Sequence, residues 1–134
     1  MQLRDVMSKD VLTTAPGVTV SGAAKAMTDR GVGSACVLAD GVLVGIITER
    51  DVLRAAASGK DLTEEPVSAW MTENPDTIDV EELPSEVSRR LQKQGYRHLP
   101  VVDDSGALVG IASMRDVWQF SFLPAEPDDM TLRG

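Results

Sequence analysis

The stretch GVLVGIITERDV, from Gly41 to Val52, returns as GALVGIASMRDV from Gly106 to Val117. The two copies lie 65 residues apart and share both glycines, the Leu-Val pair, the first Ile and the closing Arg-Asp-Val. Each reads as a β-branched strand that breaks at a hydroxyl residue, Thr48 or Ser113, with Asp51 or Asp116 three positions later. A hydroxyl followed at that spacing by an acidic side chain marks a helix start, because the hydroxyl accepts a backbone N–H while the carboxylate reaches back. Ahead of the strands stand Asp40-Gly41 and Asp104-Ser105-Gly106, which read as hairpin turns after the apolar runs Ala35 to Leu38 and Leu99 to Val102.

Working outward, the correspondence continues. Met7, Thr13, Ser21, Gly31 and Val37 recur as Met71, Thr77, Ser85, Gly95 and Val101, all 64 residues on, with Ser105 as the natural inserted residue. A helix is predicted from a Ser21 cap, with Ala23, Ala24 and Met27 inward and Gly31 as the stop. Its copy has Pro84 in the first turn, Val87 and Leu91 four apart, and Gly95 at the end. Each unit is therefore strand, helix, strand, strand, helix, and the fold class is α+β. The units are placed at 1–58 and 70–122, joined by a polar linker at 59–69 and followed by a tail at 123–134, PAEPDDMTLRG from Pro124, expected to be loosely ordered.

Composition narrows the function. The chain has 134 residues, 43% hydrophobic and 25% charged, with 13 basic and 21 acidic side chains for a net charge of −8. Residues 6–58 balance 5 against 5, whereas 70–122 carry 9 acidic and 5 basic groups. Such a balance disfavours nucleic acid and anionic membranes, both of which select Lys and Arg. No apolar run approaches the ~20 residues of a spanning helix, and MQLRDVMSKD has no apolar signal core. The only Asn, Asn74, precedes Pro75, so no glycosylation site is present. One Cys and one His make neither a disulfide nor a metal cluster. A cytoplasmic protein is expected. An enzyme is not, because no nucleophile–base pair or carboxylate dyad is evident. Gly31-Val32-Gly33 lacks the third glycine and the strand-to-helix order of a dinucleotide fingerprint.

The stretches VMSKDVLTTAP and GVGSACVLADGVLVGIITERDV, then WMTENPDTIDV and GYRHLPVVDDSGALVGIASMRDV, resemble a tandem pair of cystathionine-beta-synthase (CBS) domains, a Bateman module. The resemblance runs from about Leu3 to Phe120, and a stand-alone module is expected. It implies two small three-stranded sheets with flanking helices about a pseudo-twofold axis, with clefts between the repeats. In the family those clefts often take AMP, ADP, ATP, NADH or S-adenosylmethionine, though some members bind no nucleotide. It also implies a homodimer and an unidentified regulated protein.

Carried onto these residues, the family motif gives Asp51 and Asp116 the ribose hydroxyls and Thr48 and Ser113 the phosphate or ribose. A carboxylate accepts two bonds from a diol at once. A phosphate is better met by helix N–H groups. Capping alone explains the same residues without a ligand. Arg97 and His98 stand where family members meet phosphates; Arg97 offers a bidentate fork, and His98 adds charge below about pH 6.5. The first repeat has Gly33 and Ser34 there, and Cys36 where Pro100 stands. The cleft of Ser113, Asp116, Arg97 and His98 is therefore expected to take the phosphorylated ligand. The Thr48/Asp51 cleft is expected to bind weakly, to take an uncharged nucleoside or to stay empty. Val11, Leu12 and Thr13, with Thr77 and Ile78, occupy the family's base-facing strands, where plain strand packing is the alternative. Cys36 reads as a buried inert thiol. Trp70 and Trp118 read as core or dimer contacts. The competing function is a ligand-free structural module acting through protein contacts.

Overall fold

Thr13–Thr14 (β1), Val20–Arg30 (α1), Ser34–Ala39 (β2), Val42–Thr48 (β3) and Glu49–Ala57 (α2) build the first repeat. Thr72–Glu73 (β4), Ile78–Asp79 (β5), Pro84–Gln94 (α3), His98–Val102 (β6) and Leu108–Ser113 (β7) follow. The computed structural model describes residues 3–5, 7–94 and 97–113. The closing helix expected after Ser113, with Asp116 and Trp118, and the tail at 123–134 lie outside the described residues. So does Gly95, the expected stop of α3.

Local chemistry sets these boundaries. Thr19, not Ser21, caps α1: its backbone is extended, and its Oγ1 accepts from the Gly22 N–H at 3.1 Å. The hydroxyl one turn ahead of the inward Ala23 does the capping, which puts Ser21 inside the helix. Gly31 ends α1 with φ 67°, and its N–H reaches the Met27 and Thr28 carbonyls. Asp40 and Gly41 both have positive φ, 51° and 79°, the geometry of the tight turn that matches strand twist. The second hairpin carries one inserted residue, Ser105, and its loop spans 103–107. There the Asp103 carboxylate accepts from the Ser105 hydroxyl at 2.6 Å and from the Ser105 and Ala107 N–H groups. These bonds, led by the Ser105 hydroxyl, hold the Asp103 carboxyl below the usual carboxylate range. The inserted Ser105 thus has a structural task.

Of the two three-stranded sheets that the resemblance implies, the second is found as such and the first has a fourth strand. The order β1-β2-β3-β4 makes four strands, and β5-β6-β7 makes three. In each, a parallel pair (β1 with β2, β5 with β6) precedes an antiparallel one (β2 with β3, β6 with β7). A register shift falls between Val37 and Leu38 in one sheet and between Val101 and Val102 in the other, so even the irregularity is repeated. The fourth strand comes from the other repeat. β4 pairs with β3 through Gly45↔Glu73 and Ile46↔Thr72. Its counterpart is the bridge between Ser8 and Ile111, closed by bonds of 3.0 and 2.9 Å.

The segments leading into each repeat therefore change sides. Leu3, fully buried, packs in the second repeat's core with Ile78, Val87, Leu91, Leu99 and Val101. Val67, fully buried, packs in the first with Ala23, Met27, Ala35, Val37 and Ile47. Met71 and Met7 lie over the second glycine of each quoted stretch. A Cβ on Gly45 would sit 2.5 Å from Met71 Sδ and 3.0 Å from the Thr72 carbonyl oxygen. On Gly110 it would sit 2.7 Å from Met7 Sδ and 2.9 Å from the Ser8 carbonyl oxygen. Glycine is needed there because the other repeat's backbone passes too close for any side chain.

Gly45→Ala is expected to lower stability by about 1–3 kcal/mol, read as a fall in the urea midpoint. Adding Met71→Ala should recover only part of the loss, since the Thr72 carbonyl remains. A neutral Gly45→Ala would disprove the close approach.

Candidate functional site

Thr48 ends β3 and caps α2 in a closed capping box. Its Oγ1 accepts from the Asp51 N–H at 3.3 Å, and its own N–H donates to Asp51 Oδ2 at 2.9 Å. Asp51 is only 7% exposed. Its second oxygen, Oδ1, accepts from Arg54 Nη1 at 2.9 Å. Arg54 in turn lies 5.8 Å from the Trp70 ring centroid. The Trp70 indole N–H donates to Glu65 Oε1 at 3.1 Å. Asp51 is thus oriented by both its helix and its salt-bridge partner, and it already has acceptors in use.

Two cavities flank the seam between the repeats. The larger, about 940 Å³, is lined from the first repeat by Asp10, Val11, Leu12, Gly33 and Ser34. From the second it is lined by Arg97, His98, Ile111 and Ser113. The smaller, about 300 Å³, holds Thr48 and Asp51 from the first repeat and the run Thr72 to Asp76 with Arg97, His98 and Leu99 from the second. Each cavity thus combines the strand-to-helix junction of one repeat with the entry segment of the other. That pairing follows from the exchanged edge strands.

Ser113, Arg97, His98, Val11 and Leu12 come together in the larger cavity as expected residues, and Thr48 and Asp51 meet in the smaller. Thr13, Thr77 and Ile78 line neither. Thr13 is exposed in β1, and Ile78 is fully buried in the second core. The Thr77 carbonyl accepts from Arg90 Nη2 at 3.2 Å. The chain lines each cavity one to three residues ahead of the first paired residue of β1 or β5. Applying the 64-residue offset to Val11 and Leu12 gives Pro75 and Asp76, which do line the smaller cavity. The signal was present in the repeat itself.

Arg97 and His98 line both cavities rather than one, because β6 begins at the wall between them. Glu49, unremarkable in the sequence, also lines both. A Cβ on Gly33 would lie 3.3 Å from Glu49 Oε1 and 3.4 Å from His98 Nε2, so a carboxylate and an imidazole converge on the one position without a side chain. The small Gly33 makes room for the larger His98 across the seam.

Outside the cavities, Cys36 is fully buried in β2, and burial pushes its thiol up to about 12. Trp70 packs against the first core. Among the described residues no group of three His, Cys, Asp or Glu is placed to hold a metal ion, and no helix is long and apolar enough to cross a membrane.

The CBS domain family profile matches residues 3–58 and 67–117. The chain belongs to the CBS domain family. It is a tandem pair of CBS repeats, and its fold agrees. The crystallised CBS domain pair of protein MJ0100, in complex with 5'-methylthioadenosine and S-adenosyl-L-methionine, superposes with a TM-score of 0.82 at 27% identity, over 90% of this chain and 95% of that one. The CBS domain-containing protein YhcV of Bacillus subtilis is 34% identical over 86% of this chain and 81% of its own length. An uncharacterized 17.7 kDa protein of Acidianus ambivalens is 33% identical over 87% of this chain and 70% of its own. Inosine-5'-monophosphate dehydrogenase of Korarchaeum cryptofilum is also similar, but this CBS pair spans only 22% of its length. CBS pairs are regulatory modules, and that enzyme's name attaches to a chain several times longer than the matched part.

The buried thiol predicts that Cys36 resists alkylation at pH 8 in the native protein and labels at once in denaturant. Rapid native labelling would contradict its placement. Thr48→Ala should cost about 1 kcal/mol by loss of the cap, measured as a lower melting temperature.

Proposed function

We propose that this CBS pair is a regulatory module that binds an adenosine-containing ligand between its repeats and transmits occupancy to a partner protein. The observation that carries the reading is the composition of the two cavities: both repeats line each of them, so a ligand seated there touches both halves at once. A ligand that prefers one relative placement of the repeats then shifts the population toward it. Asp51, and Asp116 in the second repeat, take the ribose diol; Thr48 and Ser113 stand beside the 5' group; Arg97 and His98 meet a phosphate. Val11 and Leu12 supply the apolar base slot of the larger cavity. The ligands of the related MJ0100 pair, 5'-methylthioadenosine and S-adenosyl-L-methionine, support an adenosine-type ligand. AMP, ADP, ATP and NADH belong to the same chemical class. Catalysis has no part in the proposal.

The output surface is proposed to be a homodimer face or the contact with the regulated protein.

A second reading has its own support. The closed capping box at Thr48 and Asp51 needs no ligand. In that reading the module is structural, and both motifs serve only as helix starts.

Thermal denaturation with saturating AMP, ADP, ATP, NADH and S-adenosylmethionine, repeated on Asp116→Ala, separates the two. A ligand at 100 times its dissociation constant stabilises by about 2.7 kcal/mol, so the melting temperature should rise by several degrees and the rise should shrink in Asp116→Ala. No rise with any compound, beside a lower baseline in the variant, would favour the structural module.

A further inference from the structure

The two cavities present different charge to a ligand. The smaller is lined by Glu49, Asp51, Glu73 and Asp76 against Arg50 and Arg97. Asp51 is matched by Arg54 at 2.9 Å, but no ion pair engages Glu49, Glu73 or Asp76 among the described residues. Among the described residues the larger is lined by two carboxylates, Asp10 and Glu49, beside the Asp116 that the adenosine reading assigns to its ribose. Asp10 is matched by Arg30 at 2.6 Å. The repeat explains the difference. Glu73 and Asp76 stand where the first repeat has Lys9 and Leu12; Leu12 lines the larger cavity and Lys9 does not, so these two positions give the larger cavity no carboxylate and the smaller cavity two.

From this we infer that the two clefts are sorted by ligand charge. The larger takes a phosphorylated adenosine compound, and the smaller takes one without phosphate, neutral or positively charged at its 5' side. The inference rests on the adenosine-binding reading above and assigns a ligand class to each cleft. A phosphate in the smaller cleft faces several carboxylates of like charge within a few ångströms, and that repulsion lowers its affinity. A ribose diol meets no such penalty, because its hydroxyls donate to carboxylates. Arg97 sharpens the sorting. It lines both cavities, and one guanidinium fork holds one phosphate at a time. A phosphate bound in the larger cavity therefore removes one of the two arginines that line the smaller, leaving Arg50.

Calorimetric titration of the full chain with AMP, followed by adenosine into the AMP-saturated protein, tests this. AMP should bind at one site per chain, any second site being weaker on the order of tenfold or more. Adenosine should then fill one further site without displacing AMP. The double variant Glu73→Lys, Asp76→Leu grafts the first repeat's entry residues onto the second at two exposed positions. It should gain a second AMP equivalent and serves as the positive test of mechanism. Two equal AMP sites in the natural protein, displacement of AMP by adenosine, or an unchanged stoichiometry in the grafted variant would overturn the sorting while leaving adenosine binding intact. Absence of binding by both compounds would overturn the adenosine reading and the sorting together.

Discussion

Two glycines and two methionines hold the rest in place. Met71 crosses Gly45 and Met7 crosses Gly110, at distances that admit no side chain on either glycine. With each methionine comes a backbone segment that bonds to the neighbouring repeat's last strand. This crossing seals the sheet edge that would otherwise be open. It delivers Leu3 and Val67 into the opposite cores. It also carries each entry segment to the mouth of the other repeat's strand-to-helix junction, and the cavities are a product of it.

Much of the fold was legible because it is written twice. The β-branched runs, the Asp40-Gly41 turn and the Gly31 stop each rest on local chemistry, and a second copy removes the ambiguity of short apolar runs. The exchange was not legible. Nothing local distinguishes a methionine that packs on its own repeat from one that packs on the other, and the pairing of Ile46 with Thr72 is a tertiary fact. The same holds for the site. Thr48 and Asp51 announce themselves by spacing, whereas Glu49 acquires its place only when β6 arrives beside it from the far side of the seam. Thr13, Thr77 and Ile78 were assigned by resemblance to the family's base-facing strands, whereas the cavity walls are lined by the residues just ahead of the paired strands, Val11, Leu12, Pro75 and Asp76.

The two copies keep their backbone landmarks and vary their side chains. Gly45 and Gly110 and the bulges coincide. In the cores Ala35 answers to Leu99 and Ile47 to Ala112, so a residue enlarged at one buried position is offset by a smaller one at another. At the cavity walls Gly33 answers to Arg97, Ser34 to His98 and Leu12 to Asp76, and there the change is in charge as well as volume.

The reciprocal crossing of Met7 and Met71 is the geometry of a swapped dimer drawn into a single chain. A lone repeat would leave its leading segment without a landing site and its last strand without a neighbour, and a second copy would satisfy both. The linker around Ser58 to Pro66 replaces that bimolecular encounter with a tethered one, at an effective concentration in the millimolar range. Duplication then freed the two halves to differ. A symmetric pair of identical chains must present the same residues on both sides of its axis, whereas a fused pair can place Asp76 on one side and Leu12 on the other.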